Sequence, residues 1–163
     1  MRHLGEKAWL ALGVLTTVMA LLLLVSAGTV DYWQAWVYLG VFAGVSALIT
    51  LDLIRKDPAL LERRMRGGPT AEKQPAQKLI MLCISICFIA LLVVPALDRR
   101  FGWSAVPVGG VGAGDALVAI GFYLIALVYR ANTFSSATIE IAENQKVVST
   151  GPYALVRHPM YAS

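Results

Sequence analysis

Long stretches without a charged side chain constrain this sequence more than any other feature. Three of them are mostly apolar, and they cover residues 8–30, 32–51 and 79–97. Each is about as long as the ~20 residues with which an α-helix crosses the ~30 Å hydrocarbon core of a bilayer. A shorter fourth run covers residues 116–129 and extends back to Val111 if Asp115 lies at the membrane interface. The runs predict four transmembrane helices, at about residues 8–28, 33–53, 78–97 and 113–131.

Composition supports the same class of protein. Of the 163 residues, 58% are hydrophobic and 15% are charged, whereas soluble domains have about 45–50% apolar and about 25% charged residues. We therefore predict an all-α, polytopic membrane protein whose helical core covers residues 1–131, followed by a cytosolic or interfacial segment, 132–163. The net charge of +4 does not indicate a nucleic-acid partner, because its distribution fits membrane topology better.

Basic residues lie almost entirely on one predicted side of the membrane. Arg99 and Arg100 fall on one side, and the other twelve Lys and Arg residues fall on the other. Because cytosolic loops of membrane proteins are enriched in Lys and Arg, we expect the N-terminus, the loop at 54–78 and residues 132–163 to be cytosolic. The expected location is the inner membrane of a bacterium.

Three small motifs have simple structural interpretations. Cys83 and Cys87 lie one helical turn apart, but no His, Asp or Glu is nearby in sequence, so no metal site is predicted. Gly40 and Gly44 form a GxxxG pattern, interpreted as close packing between helices of the same chain. The glycine-rich stretch 109–114 is interpreted as a flexible loop, with Asp115 as the N-cap of the fourth helix.

The polar tail ends in a distinctive stretch, GPYALVRHPMYAS. Pro159 is suited to the first position of a fifth helix, with His158 near its cap. The N–H groups at a helix N-terminus attract a carboxylate or phosphate. Tyr153 and Tyr161 offer aromatic surface, and Arg157 can pair with an anion. These residues predict a cofactor site at the cytosolic membrane surface; residues of the same types also serve as interfacial anchors.

The tail resembles the motif of the isoprenylcysteine carboxyl methyltransferase family, whose superfamily includes phospholipid methyltransferases. The matching elements are a hydrophobic pair, a Gly-x-Tyr turn and an Arg-His-Pro-x-Tyr segment, here Val147-Val148, Gly151-Pro152-Tyr153 and 157–161. The resemblance implies S-adenosylmethionine as the cofactor, held by Gln145, Lys146, Val147, Val148, Tyr153, His158, Pro159, Met160 and Tyr161. The family also uses an Arg and a Glu beyond the position of Ser163, so we expect a C-terminally truncated chain that is inactive by itself. No catalytic residue is assigned.

The function implied by the resemblance is methylation of the carboxylate of an isoprenylcysteine-like or other lipophilic substrate. A carboxylate is already ionised at neutral pH and needs no general base. Phospholipid N-methylation is one alternative. A sterol-type NADPH reductase is another, although such enzymes have Asn where Met160 stands here. A non-catalytic membrane protein is a third alternative, and the oligomeric state stays open.

Overall fold

A computed structural model describes residues 2–65, 75–132, 150–156 and 159 of the chain. The described residues are mostly helical and contain no β-strand. Their helices are α1 (Arg2–Ala27), α2 (Trp33–Lys56), α3 (Pro58–Met65), α4 (Pro75–Phe101), α5 (Val108–Ala131) and a 3-10 helix, Gly151–Ala154. Four of them, α1, α2, α4 and α5, are long and apolar enough to cross a membrane. The prediction of an all-α, polytopic membrane protein is confirmed.

Three of the long helices extend beyond the predicted limits because helices continue past the hydrocarbon into the interface. Helix α1 begins earlier than predicted, and α4 extends at both ends, from Pro75 to Phe101. Helix α2 continues to Arg55 and Lys56 in its last turn, while α4 continues through Pro95 to Arg99 and Arg100. Cations at a helix C-terminus interact favourably with the helix dipole, so these four basic residues stabilise the ends of α2 and α4.

The prediction for the start of the fourth spanning helix was wrong. Helix α5 begins at Val108 with Pro107 as its N-cap, so the glycines at 109–114 are helical and Asp115 lies inside the helix. Glycine disfavours helix by about 1 kcal/mol relative to alanine in water. In an apolar medium, however, backbone groups need partners within the segment, and a helix supplies them.

A short helix lies within the predicted basic loop and was not predicted. Helix α3 begins at Pro58, and the Asp57 carboxylate accepts a hydrogen bond of 2.9 Å from the backbone N–H of Leu60. This is an Asp N-cap followed by proline at the first helical position. Leu60 and Leu61 are buried against Ala8 and Leu53, so α3 lies against the α1–α2 pair.

The interior is a narrow core in which α1 packs against α2 and α4, and α2 packs against α5. Its buried residues are Met19, Leu23, Ala27, Tyr32, Ala35, Leu39, Phe42, Leu92 and Ala96. Phe42 meets Phe122 of α5 edge to face, with ring centroids 5.4 Å apart. Most other apolar side chains on the spanning helices are exposed, as expected where the surrounding medium is lipid rather than water.

The GxxxG pattern does not mediate helix packing within the described part of the chain. Gly40 and Gly44 are both exposed. A Cβ atom added at either glycine would have no neighbour within 4 Å outside its own helix. The interpretation of this pattern as intramolecular packing was therefore wrong, because α1 and α5 approach other faces of α2, through residues such as Ala35 and Phe42.

Candidate functional site

The first part of the tail motif lies against the C-terminal end of α5. Gly151 has a φ of +60° and is close to Ala131, since a Cβ added to it would be 3.5 Å from the Ala131 Cβ. The side chain of Asn132, the C-cap of α5, donates a hydrogen bond of 3.0 Å from Nδ2 to the Tyr153 Oη. The left-handed backbone at Gly151 suits glycine, and it turns the chain so that Tyr153 returns to the helix end.

Two of the predicted cofactor-binding residues lie in the described part of the chain. Tyr153 is half-buried in the 3-10 helix, and Pro159 is buried. The other seven lie outside the described residues: Gln145, Lys146, Val147, Val148, His158, Met160 and Tyr161. The predicted opening of a fifth helix at His158 also lies mostly outside them. The structure thus places Tyr153 beside α5 and buries Pro159, and the cofactor-binding role of all nine residues stays a prediction.

An ion-pair network joins α2 to α5 close to this turn. The Asp52 carboxylate contacts Lys56 Nζ at 2.6 Å on its own helix and Arg130 Nε at 3.1 Å across the interface. Arg130 is two residues before Asn132, so the network and the Tyr153 hydrogen bond lie at the same end of the bundle. We call this end, defined by Lys56, Arg130, Asn132 and the 3-10 helix, the motif end.

Helix α3 adds a further cation there. The guanidinium of Arg64 lies 5.0 Å from the ring centroid of Tyr129, the residue before Arg130. At this distance a cation is attracted to the face of an aromatic ring. Helix α3 therefore reaches α5 through Arg64, and it adds positive charge to the motif end.

A groove of about 440 Å³ runs between α2 and α5 and ends at the ion-pair network. Its inner part is apolar and includes Val45, Leu48 and Phe122, while Asp52, Lys56 and Arg130 form its polar end. Ligand pockets are commonly of this size, with mostly apolar walls and a few polar groups. The groove suits an amphiphile whose apolar part lies among the helices and whose polar head reaches the motif end.

Sequence reasoning missed this groove and the network at its end. A signal was present, because Asp52 and Arg130 are ionisable residues directly after apolar runs, and such residues at membrane depth usually have a partner or a function. The chain as a whole finds no match among models of protein families, curated proteins or solved structures. Among the described residues, no group of three or more His, Cys, Asp or Glu side chains is placed to hold a metal ion.

Proposed function

We propose that the protein is an integral-membrane, S-adenosylmethionine-dependent methyltransferase acting on the carboxylate of an isoprenylcysteine-like or other lipophilic substrate. The observation that carries the proposal is the position of the tail motif. Gly151 and Tyr153 are held against the end of α5, and Arg130 in the last turn of that helix lines the polar end of a groove with apolar walls. The motif suggests the cofactor, and the groove suggests the kind of substrate.

The cofactor-binding role fits the two predicted residues that the structure describes. Tyr153 is half-buried and its hydroxyl is fixed by Asn132, while Pro159 is buried. A tyrosine ring held in this way offers a surface for an aromatic or cationic group. When bound, S-adenosylmethionine supplies a sulfonium-activated methyl group, and the protein supplies position and exclusion of water.

The substrate-binding role fits the groove between α2 and α5. Apolar residues such as Leu48 and Phe122 would contact the lipophilic part of the substrate. Lys56 and Arg130 lie at the polar end and would attract a carboxylate. The chain would thereby hold the nucleophilic oxygen close to Tyr153, and alignment of this kind is worth up to about 7–11 kcal/mol of the barrier.

Phospholipid N-methylation is the second candidate, and Asp52 is the residue that favours it. Its carboxylate lies at the same polar end and would attract a protonated amine. An amine must lose its proton before it can accept a methyl group, so this reaction needs a base that carboxyl methylation does not. The two candidates thus differ in the acceptor that the purified enzyme uses.

Calorimetry in detergent or nanodiscs tests the cofactor assignment on the full-length protein, including any residues that follow Ser163. We expect S-adenosylmethionine to bind, and His158→Ala and Tyr161→Phe each to weaken that binding at least about tenfold. Cys83→Ala, at an exposed position on α4, is the matched control and should bind as the unaltered protein does. Unchanged affinity in both motif variants, or binding of NADPH in place of S-adenosylmethionine, would overturn the proposal.

A transfer assay then identifies the acceptor. The same full-length protein is given methyl-labelled cofactor with a farnesylated cysteine derivative or with phosphatidylethanolamine vesicles. Label on the cysteine derivative supports carboxyl methylation, and label on the lipid supports the second candidate. Cofactor binding without transfer to either acceptor contradicts both substrate assignments and leaves the cofactor assignment intact.

A further inference from the structure

A second cavity, of about 580 Å³, lies at the other end of the bundle. It is formed by the start of α2, the end of α4, the segment that joins α4 to α5, and the first turns of α5. We call this the opposite end. The polar side chains that line it include Gln34, Tyr38, Asp98 and Asp115, and the rest of the wall is largely apolar. The proposed methyltransferase function does not use this cavity.

Two residues that line this cavity each have a solvent-inaccessible acceptor atom with no hydrogen-bond donor within the described part of the chain. These atoms are the Asp115 Oδ2, on α5, and the Gln34 Oε1, on α2. A buried acceptor without a donor is destabilising, and more so if it is charged. Asp115 is also within a candidate membrane span, where an ionisable residue usually has a partner or marks a binding site.

The other charges around the cavity do not neutralise Asp115. Asp98 accepts a hydrogen bond of 2.8 Å from Ser104 Oγ and adds a second negative charge. The one cation on the wall, among the described residues, is Arg99, which is exposed. Burial raises the pKa of Tyr32, which also lines the cavity; the negative charge of Asp98 raises it further, and Arg99 opposes this. The local field is therefore negative.

We propose that this cavity binds an organic ammonium ion, with the Asp115 carboxylate as its counter-ion and the Gln34 carbonyl oxygen as a second acceptor. An ammonium group carries several N–H donors and no acceptor, so it would supply the donors that the two oxygens lack once the Asp115 and Gln34 side chains turn toward the cavity. Its hydrocarbon part lies against apolar residues such as Leu23 and Leu92, and the Tyr38 ring adds a face to which a cation is attracted.

The chemistry of the wall favours an organic cation over a metal ion. A calcium ion takes about 6–8 oxygen ligands, and no cluster of three or more acidic or other metal-binding side chains occurs in the described ranges. The cavity volume of about 580 Å³ is within the range of small-molecule pockets, about 300–1,000 Å³. A single inorganic ion would leave most of that apolar space unfilled.

The test uses n-hexylammonium chloride as a probe on the purified full chain in nanodiscs. Calorimetry should detect binding of the ammonium ion and none of 1-hexanol, which has the same hydrocarbon part without the charge. Asp115→Asn should weaken binding at least tenfold, and Gln34→Leu should weaken it severalfold. The matched control is Asp31→Asn, which removes a charge from the exposed link between α1 and α2 without altering the cavity wall.

A thermal unfolding series separates a binding role from a structural one. Without probe, Asp115→Asn should unfold at a higher temperature than the unaltered protein, because the unpaired charge is gone. The probe should raise the unfolding temperature of the unaltered protein and of Asp31→Asn, but not that of Asp115→Asn. Equal stabilisation of all three, equal stabilisation by sodium chloride, or no binding of the probe would overturn the proposal.

Discussion

The two ends of the bundle are built from the same helices but treat their polar side chains in opposite ways. Helix α2 carries Gln34 at one end and Asp52 at the other, and α5 carries Asp115 and Arg130. At the motif end, Asp52 bonds to both Lys56 and Arg130. At the opposite end, acceptor atoms of Asp115 and Gln34 are buried without donors in the described part of the chain.

The comparison shows that polar side chains within a membrane protein can play two roles. Lipid offers no hydrogen bonds, so polar groups that meet each other across a helix interface hold that interface together. Polar groups that line a cavity without meeting are destabilising until something else supplies their partner. The Asp52 network therefore explains how α2 and α5 are held at the motif end, and Asp115 indicates a place for a ligand.

The largest expected effect concerns the sides of the membrane on which the two ends lie. In a background with Cys83→Ala and Cys87→Ala, Ser104→Cys reports on the opposite end and Thr150→Cys on the motif end; both positions are exposed. We expect a membrane-impermeant maleimide to label position 104 in intact cells, and position 150 only after permeabilisation. The reason is that Lys and Arg concentrate on the motif side.

The reversed labelling pattern would put the tail motif outside the cell. A cytosolic cofactor would then have no access to it, and the methyltransferase proposal would fail. Labelling of both positions in intact cells would contradict the four-span topology itself.

The next largest effect is that two matched substitutions should change the unfolding temperature in opposite directions. Asp52→Asn removes a carboxylate that bonds to two cations and should lower the unfolding temperature by a few degrees. Asp115→Asn removes a carboxylate with an unpaired oxygen and should raise it. Both are Asp→Asn changes within spanning helices, so each is the control for the other. The measurement is thermal unfolding in nanodiscs. A lower unfolding temperature in both variants would mean that Asp115 has a hydrogen-bond partner, and the two ends of the bundle would then not differ in this way.

A smaller effect is expected where the tail meets α5. The hydrogen bond between Asn132 and Tyr153 is worth about 0.5–1.5 kcal/mol if it is typical. Because it positions the Tyr153 ring, Tyr153→Phe should weaken cofactor binding by about three- to tenfold. Asn132 also takes part in another interaction, so the single variant Asn132→Ala should cost more.

A double-mutant cycle isolates the hydrogen bond from that other interaction. The double variant Tyr153→Phe with Asn132→Ala should lose less affinity than the two single losses added together, with cofactor affinity measured by calorimetry. Full additivity would show that the contact does not contribute to the site.

The number and order of the spanning helices could be predicted from the sequence, but their ends could not. Absence of charge is a local property: runs of some twenty residues located three of the spans, and the shorter run 116–129 located the fourth. Helix ends depend on the interface, where Asp98 and Arg100 remain helical although they are charged. The glycines at 109–114 were predicted as a loop because glycine is a poor helix former in water. In the apolar surroundings of α5, a helix is favoured because it supplies partners for the backbone N–H and C=O groups.

The candidate site was predictable only in part, for a related reason. Tyr153 was found through a short motif, which depends on neighbours in sequence. The contacts from Tyr153 to Asn132 and from Asp52 to Arg130 join positions 21 and 78 residues apart. Contacts at such separations depend on which helix faces meet, and a single sequence carries no pattern for that. Helix α3 was not predicted, although a local signal for it was present: Asp57-Pro58 is a typical helix start and can be recognised from the sequence alone.

The smallest effect concerns Tyr32, a buried residue at the opposite end whose hydroxyl donates to the carbonyl oxygen of Pro95. The distance of 3.4 Å is at the long limit for this kind of bond, so Tyr32→Phe should lower the free energy of unfolding by less than about 1 kcal/mol near neutral pH.

The pKa of Tyr32 is raised above the ordinary value of 10.0, first by burial and then by Asp98. The folded state therefore favours the protonated hydroxyl, and the stability that this residue contributes is fully present below pH 10 and lost as the pH rises further. In thermal unfolding between pH 7 and pH 11, the unfolding temperature of Tyr32→Phe relative to that of the unaltered protein should rise only above pH 10. A constant difference across that range would mean that neither burial nor Asp98 raises the pKa of Tyr32 in the folded protein.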